Sequence, residues 1–321
     1  MRFLPTEEQI AFAEAIDDIV EGAGGADVAR AWADGDTAPG LALWEQFAEL
    51  GLLGLRIPED EGGFGGSLSD LVVVFERLGY HGVPGPYLES VALLPGLVDA
   101  DTRGELAAGA IATASVDGVA PAALDAGVAA QCYLVRDGAL HQGSVTEELE
   151  SVAPTRRPAR LSPEGDGTPL DPAALATALN EASLAAAAML VGAGERMLEE
   201  AVSYAKVREQ FGRPIGEFQA LKHQLADVRV ALSFARPLVW NAALRASEAD
   251  ADRAVSAAKI SASEAAVLAA RVSLQVHGAI GYTAEHTLRI WLGLAPALSG
   301  VWGTPAAHRA RIAADLLSKE Q

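Results

Sequence analysis

Residues 204–229, YAKVREQFGRPIGEFQALKHQLADVR, constrain the fold more than any other stretch of the chain. They read as one helix ending near Arg208, Phe211 and Gly212, a short break, and a second helix that starts at Gln219. Apolar Phe218, Leu221, Leu225, Val228 and Leu232 recur at alternating steps of three and four, so the second helix buries one face. Arg213-Pro214-Ile215-Gly216 makes the break, because proline has no N–H to donate and glycine ends a helix at little steric cost. An arginine, an aromatic ring and a glutamine therefore gather at a tight helix–helix corner. Such groups suit a ligand with phosphates and a flat heterocycle: the guanidinium pairs bidentately with phosphate, the ring packs on the heterocycle, and the amide bonds its edge. A helical hairpin with a surface arginine explains the same residues equally well.

A second segment, residues 275–282 (QVHGAIGY), follows an alanine-rich helical run. Gly278 and Gly281 let a backbone approach a ligand closely, and their amides can face a diphosphate. A helix C-cap would account for the same glycines. In sequence and order, the two segments together resemble the acyl-CoA dehydrogenase flavoprotein family. The N-terminal third agrees: LWEQFAELGLLGL (43–55) runs into RIPEDEGGFGG (56–66), then into a capped apolar helix and Pro84-Gly85-Pro86-Tyr87-Leu88. This is similar to the family's N-terminal helical domain, where an acidic, glycine-rich loop joins two helices. Turn and core roles suffice for these residues, and no catalysis is assigned to them.

The resemblance covers residues 1–105 and 175–315. It implies a mainly α fold with a small β insert: an N-terminal helical domain (1–104), a truncated β middle domain (105–172) and a C-terminal four-helix bundle (173–321). The bundle helices are expected at about 175–207, 217–247, 252–277 and 283–318. The implied cofactor is FAD, with Arg208 on the diphosphate and Phe211, Gly212 and Gln219 at the flavin or adenosine. The loop carrying Gln275, Gly278, Ala279 and Gly281 would cover the diphosphate, and Thr304 would add a hydrogen bond.

Half the residues are hydrophobic, and the net charge is −19 with a pI near 4.7. This balance argues against nucleic acid and against an anionic membrane surface as partners. The one cysteine, Cys132, excludes an intrachain disulfide framework and reads as a packed thiol. The six histidines show no metal-ligand spacing, and no metal site is expected. His277 sits inside the glycine motif, where packing or capping explains it more simply than ligand contact. The start, MRFLPTEE, reads as a helix opening rather than a signal peptide, so a cytoplasmic location is expected.

The middle third departs from the resembled family. Short β-prone runs occur at 110–116, 127–140 and 149–154, and Pro163–Pro169 reads as a loop leading back into helix. The family's Thr-Glu-Pro and Gly-Ser-Asp runs, which hold the flavin ring, do not occur here. The catalytic base is also missing. Where relatives carry a glutamate just before Gly-Thr, this chain has Trp302, and an indole accepts no proton at neutral pH. Other relatives place the base on the preceding long helix, at a position that falls here on Ala182. Its neighbour Glu181 is a weak candidate, one residue or about 100° away around the helix, and reads more simply as a solvated acid at a helix start.

In the family the flavin lies between two subunits. The resemblance therefore implies a chain with no catalytic base, giving the adenine-and-diphosphate half of a site completed by a longer subunit. The complex would be an α2β2 assembly acting on an acyl-CoA, such as a steroid side-chain thioester, with an electron-transfer flavoprotein as acceptor. The alternatives are a self-sufficient homo-oligomeric enzyme with a relocated base, and a flavin-free assembly protein.

Overall fold

The structure is a computed structural model and describes residues 3–283 and 286–318. Four helices come first: α1 (Glu7–Gly22), α2 (Ala26–Asp34), α3 (Ala38–Glu49) and α4 (Leu68–His81). Helices α1 and α4 both open with a capping box, Thr6 with Gln9 and Ser67 with Asp70, which satisfies N–H groups that have no partner inside the helix. A π-helical turn (Leu88–Leu93) and α5 (Ala100–Ala107) lead into the sheet.

The sheet has strands β1 (Ala112–Val116), β2 (Ala123–Leu124), β3 (Gln131–Arg136), β4 (Ala139–Glu148) and β5 (Pro158–Pro169), in the order β1-β3-β4-β5-β2. Strands β1 and β3 run parallel and the other pairs antiparallel. Asp137 and Gly138, at φ 50° and 76°, turn β3 into β4, as an Asp-Gly hairpin requires.

Two expectations for this region are overturned. Residues 163–169 form strand rather than loop: Pro163 pairs with Gly143 and Thr168 with Leu140. Among the described residues strand β2 covers β5 only at Pro158 and Ala159, so the rest of that β5 edge is open. Residues 149–154, expected as strand, lie in the connection between β4 and β5.

The C-terminal part is helical. The 36-residue α6 (Pro172–Val207) starts at the Asp171 cap, with Pro172 in the first turn. A miniature hairpin follows, β6 (Glu209–Gln210) with β7 (Arg213–Pro214), and then α7 (Gln219–Leu244), α8 (Ala251–His277), α9 (Arg289–Gly300) and α10 (Pro305–Ser318). The single last helix expected over 283–318 is thus two helices, broken where Trp302 and Gly303 take φ values of 53° and 104°.

Helix α6 is the centre of the molecule and packs against α4, α7, α8 and α9. Its Ala185–Ala188 run is fully buried, because small side chains let neighbouring backbones approach. The α4–α6 crossing shows how close they come. A Cβ on Gly192 would lie 1.9 Å from the Glu76 carbonyl oxygen, and one on Gly79 2.1 Å from that of Met189. From α9, Trp291 Nε1 donates to the Gly79 carbonyl at 3.1 Å, so the N-terminal helices and the bundle share one core. By length and composition α6 would suffice to cross a membrane, yet most of its apolar stretch is buried inside the protein.

Candidate functional site

Two of the segments singled out in the sequence meet at one end of the bundle. Tyr204, one turn before the end of α6, stacks on His277 in the last turn of α8, with ring centroids 4.5 Å apart. Burial lowers the His277 pKa, and its Nδ1 lies 2.8 Å from the Ser273 carbonyl oxygen. His277 is therefore the packed anchor of this corner.

Beyond Tyr204 the chain forms the β6–β7 hairpin, with Glu209 opposite Pro214 and Gln210 opposite Arg213. Its two turn residues, Phe211 and Gly212, have φ 54° and 79°. Gly212 adopts this geometry freely, but for phenylalanine it is a strained conformation of the kind that concentrates at functional sites. Phe211 is also 92% exposed, and its ring meets that of Phe218 in a T-shaped arrangement at a centroid distance of 6.2 Å. Arg213 lies over the Phe218 ring at 4.4 Å. The Arg208 carbonyl accepts from Ile215 N at 2.8 Å, which fixes the hairpin, while its exposed guanidinium has no hydrogen bond or ion pair among the described residues.

Gln219 is exposed at the first position of α7, and Gln275 is exposed on α8. Gly278, at φ 65°, caps α8 and starts the 3-10 turn Gly278–Tyr282, with Ala279 exposed and Gly281 buried against His277 and Leu288. The segments that join at the Tyr204–His277 stack thus carry an outward-facing guanidinium, two exposed amides and a strained aromatic ring.

The turn before α10 lies elsewhere in the bundle. Trp302 is buried, and its carbonyl accepts from Ser183 Oγ at 3.0 Å and faces His308 Nε2 at 3.1 Å. Ser183 directly follows Ala182, so the two positions at which the resembled family carries its base are neighbours here. Neither holds a carboxylate. Glu181 is not a solvated helix-start acid but sits in the tenth position of α6, gripped by Arg56 (Nε–Oε2 2.9 Å, Nη2–Oε1 2.8 Å). Arg56 also donates to the Gly66 carbonyl, which ties the glycine-rich loop to the bundle. Thr304 Oγ1 accepts from Ala307 N at 3.2 Å and caps α10.

Lys259 organises this turn and was missed in the sequence. It is fully buried, and its ammonium donates to the carbonyls of Leu298, Ser299 and Gly303 at 3.0, 3.1 and 3.1 Å. Burial pulls its pKa down to about 7, while the three carbonyls, two at the end of α9 and one in the turn after it, act in the opposite sense. Burial and the neighbouring Lys259 push the His308 pKa down to about 4, keeping the ring neutral. Spacing alone marks the lysine, since Val255, Ala258, Ala262, Ala266 and Ala269 put position 259 on the buried stripe of α8. Cys132 is half-buried and its thiol pKa is raised by burial. No metal-binding group of His, Cys, Asp or Glu occurs among the described residues.

Comparison with known proteins gives two family matches. Residues 172–317 match the acyl-CoA dehydrogenase C-terminal domain and residues 6–96 the N-terminal domain. The acyl-CoA dehydrogenase IpdE2 of Mycobacterium tuberculosis is 35% identical over 300 residues, covering 89% of this chain and 90% of that protein. Among solved structures, the Tcur3481-Tcur3483 steroid ACAD G363A variant superposes with a TM-score of 0.85 at 25% identity, covering 98% of both chains. The ChsE4-ChsE5 complex from Mycobacterium tuberculosis gives a TM-score of 0.85 at 23% identity, covering 99% of both.

Proposed function

The chain belongs to the acyl-CoA dehydrogenase family, whose cofactor is FAD, and from that premise we propose that it is the shorter subunit of a heteromeric member. In this reading a longer homologous subunit supplies the flavin-ring contacts and the carboxylate base. This chain supplies the corner built from Arg208, Phe211, Gly212, Gln219, Gln275 and the Gly278–Gly281 turn.

One observation carries the reading: Ala182 and Trp302, the two places for a base, adjoin through the Ser183–Trp302 hydrogen bond, and neither offers a proton acceptor. A self-sufficient desaturase needs a carboxylate there to remove the α-proton of the thioester. Glu181 is held in a bidentate pair by Arg56. The donors at the corner fit the diphosphate and adenosine end of FAD, since Arg208 is free of protein partners among the described residues and Phe211 is extended into solvent. The ring end lacks a cradle, because the Thr-Glu-Pro and Gly-Ser-Asp runs are absent from the sequence.

When bound, FAD supplies the acceptor for the β-hydride of the acyl-CoA. The work of this chain is to bind and orient: Arg208 neutralises phosphate charge, Phe211 presents an aromatic face, and Gln219 and Gln275 offer amide hydrogen bonds. Thr304 Oγ1 accepts the α10 cap bond and keeps its hydroxyl proton and a second lone pair for a further contact. The similarity to the steroid ACAD favours a steroid side-chain CoA as substrate, and an electron-transfer flavoprotein is the acceptor we assign.

The test is Arg208→Ala in the co-purified complex. Losing a charge-assisted phosphate contact removes roughly 1.5–3 kcal/mol, or about one to two decades in FAD affinity. Unchanged flavin content would refute the assignment.

A further inference from the structure

A second polar site lies inside this chain, in a cavity of about 190 Å³ between the π-helical turn Leu88–Leu93, the sheet with its connecting loops and the end of α9. Its walls are largely apolar, including Ala120, Leu124, Ala297 and Val301, yet two charged side chains face it, Glu89 and Arg156. Both are more than nine-tenths buried. Glu89 Oε2 has no hydrogen-bond partner among the described residues, and the Arg156 guanidinium makes no hydrogen bond or ion pair there. The carboxylates that act on it are Glu89 and Asp125, and neither forms an ion pair with it among the described residues.

Burying a guanidinium without direct partners is costly, and a fold that only needed to fill space would use an apolar side chain. The surrounding backbone is unusual as well. Glu89 sits in the π-helical turn Leu88–Leu93, a geometry that recurs at functional sites, and Asp125 takes φ 51°. Asp125 accepts from Trp32 Nε1 at 3.1 Å, which holds it beside the cavity rather than in it.

We propose that this cavity binds an organic carboxylate of about the size of benzoate, with Arg156 donating to the carboxylate oxygens and Glu89 completing the hydrogen bonding. The chemistry is that of a planar guanidinium meeting a planar anion in a site of low dielectric. The volume agrees, since an apolar cavity of about 150 Å³ holds benzene. Burial pushes the Glu89 pKa up to about 7, so near neutrality its carboxyl also has a proton to donate to the same anion. The inference uses residues of this chain's own cavity and is independent of the flavin assignment.

Two sources would present this group: a free small carboxylate, or the carboxylate end of a longer acyl chain. The experiment is calorimetric titration of the purified chain with sodium benzoate and with its neutral isostere benzamide. A parallel pair is adipoyl-CoA against hexanoyl-CoA, which has no terminal carboxylate. The expected result is binding of benzoate at least about tenfold tighter than benzamide, lost in Arg156→Gln and weakened in Glu89→Gln. Selective binding of adipoyl-CoA without benzoate would support the site and assign it to the end of a longer ligand. Equal response to the charged and neutral members of both pairs, or no binding by either carboxylate to the wild-type chain, would overturn the proposal. The wild-type comparison needs no variant, so a poorly folding Arg156→Gln leaves the test intact.

Discussion

The rings of Tyr204 and His277, 73 positions apart in the chain, stack at 4.5 Å and join the end of α6 to the end of α8. This contact brings the arginine–phenylalanine–glycine hairpin and the glutamine–glycine turn to one end of the bundle. Helices α6 and α8 are long and packed along each other, so the corner is carried on a rigid base rather than on independent loops.

Phe211 stores backbone strain that Gly would relieve. A left-handed conformation costs a non-glycine residue roughly 1–2 kcal/mol, and the exposed ring gains little from Phe218 in return. Phe211→Gly is expected to leave the chain as stable as before or up to about 1 kcal/mol more stable in urea unfolding, after the entropy of the added glycine is offset. Flavin retention by the complex should fall at the same time. Clear destabilisation with full flavin content would make Phe211 a packing residue.

Lys259→Met tests the turn before α10. The substitution leaves the Leu298, Ser299 and Gly303 carbonyls without their donor. Unsatisfied buried groups cost about 1–3 kcal/mol each, and partial relaxation brings the expected total to roughly 3 kcal/mol. Thermal unfolding followed by circular dichroism measures it. A loss within experimental error would show that water replaces the ammonium there.

Glu89 gives the protein a pH dependence whose sign follows from burial. Its folded pKa of about 7 stands above the ordinary 4.5, so between these values the folded state holds a proton that the unfolded state has released. Stability therefore decreases as pH rises from about 4.5 to 7, by up to about 3 kcal/mol from this group. Asp125, raised to about 6 chiefly by burial, acts in the same direction, so the informative quantity is the difference between wild type and Glu89→Gln. That difference should favour the variant more at pH 8 than at pH 5 in denaturant titrations. A difference independent of pH would mean that Glu89 ionises at its ordinary pKa.

Glu181→Gln is expected to weaken the Arg56 pair and cost about 1–3 kcal/mol of stability. In the assembled complex, acyl-CoA-dependent reduction of an artificial electron acceptor should continue at nearly the wild-type rate per flavin. A fall of several decades with assembly intact would move catalysis into this chain.

How far the fold could be read from the sequence depended on which local rule dominated. Helices α6, α7 and α8 were legible because apolar periodicity and punctuation by Pro and Gly agree over long stretches. Strand β5 was not: PARLSPEGDGTP has the composition of a loop, and it is held as strand by its pairing with β4, a contact no local pattern announces. The break at Trp302–Gly303 escaped notice because a tryptophan with positive φ has no local signature; buried donors from α6, α8 and α10 impose it. Arg208, Gln219 and Gln275 could be named from motif order, whereas the Lys259 clamp and the Glu89–Arg156 cavity depend on contacts between distant elements.

Flavin stoichiometry of this chain expressed alone and together with a longer acyl-CoA dehydrogenase homologue tests the half-site assignment most directly. The account predicts a colourless, inactive chain alone. It predicts a yellow complex with acyl-CoA-dependent turnover when the longer subunit is present, and no turnover by the isolated chain carrying Trp302→Glu. A yellow, active homo-oligomer of the unmodified chain would contradict it.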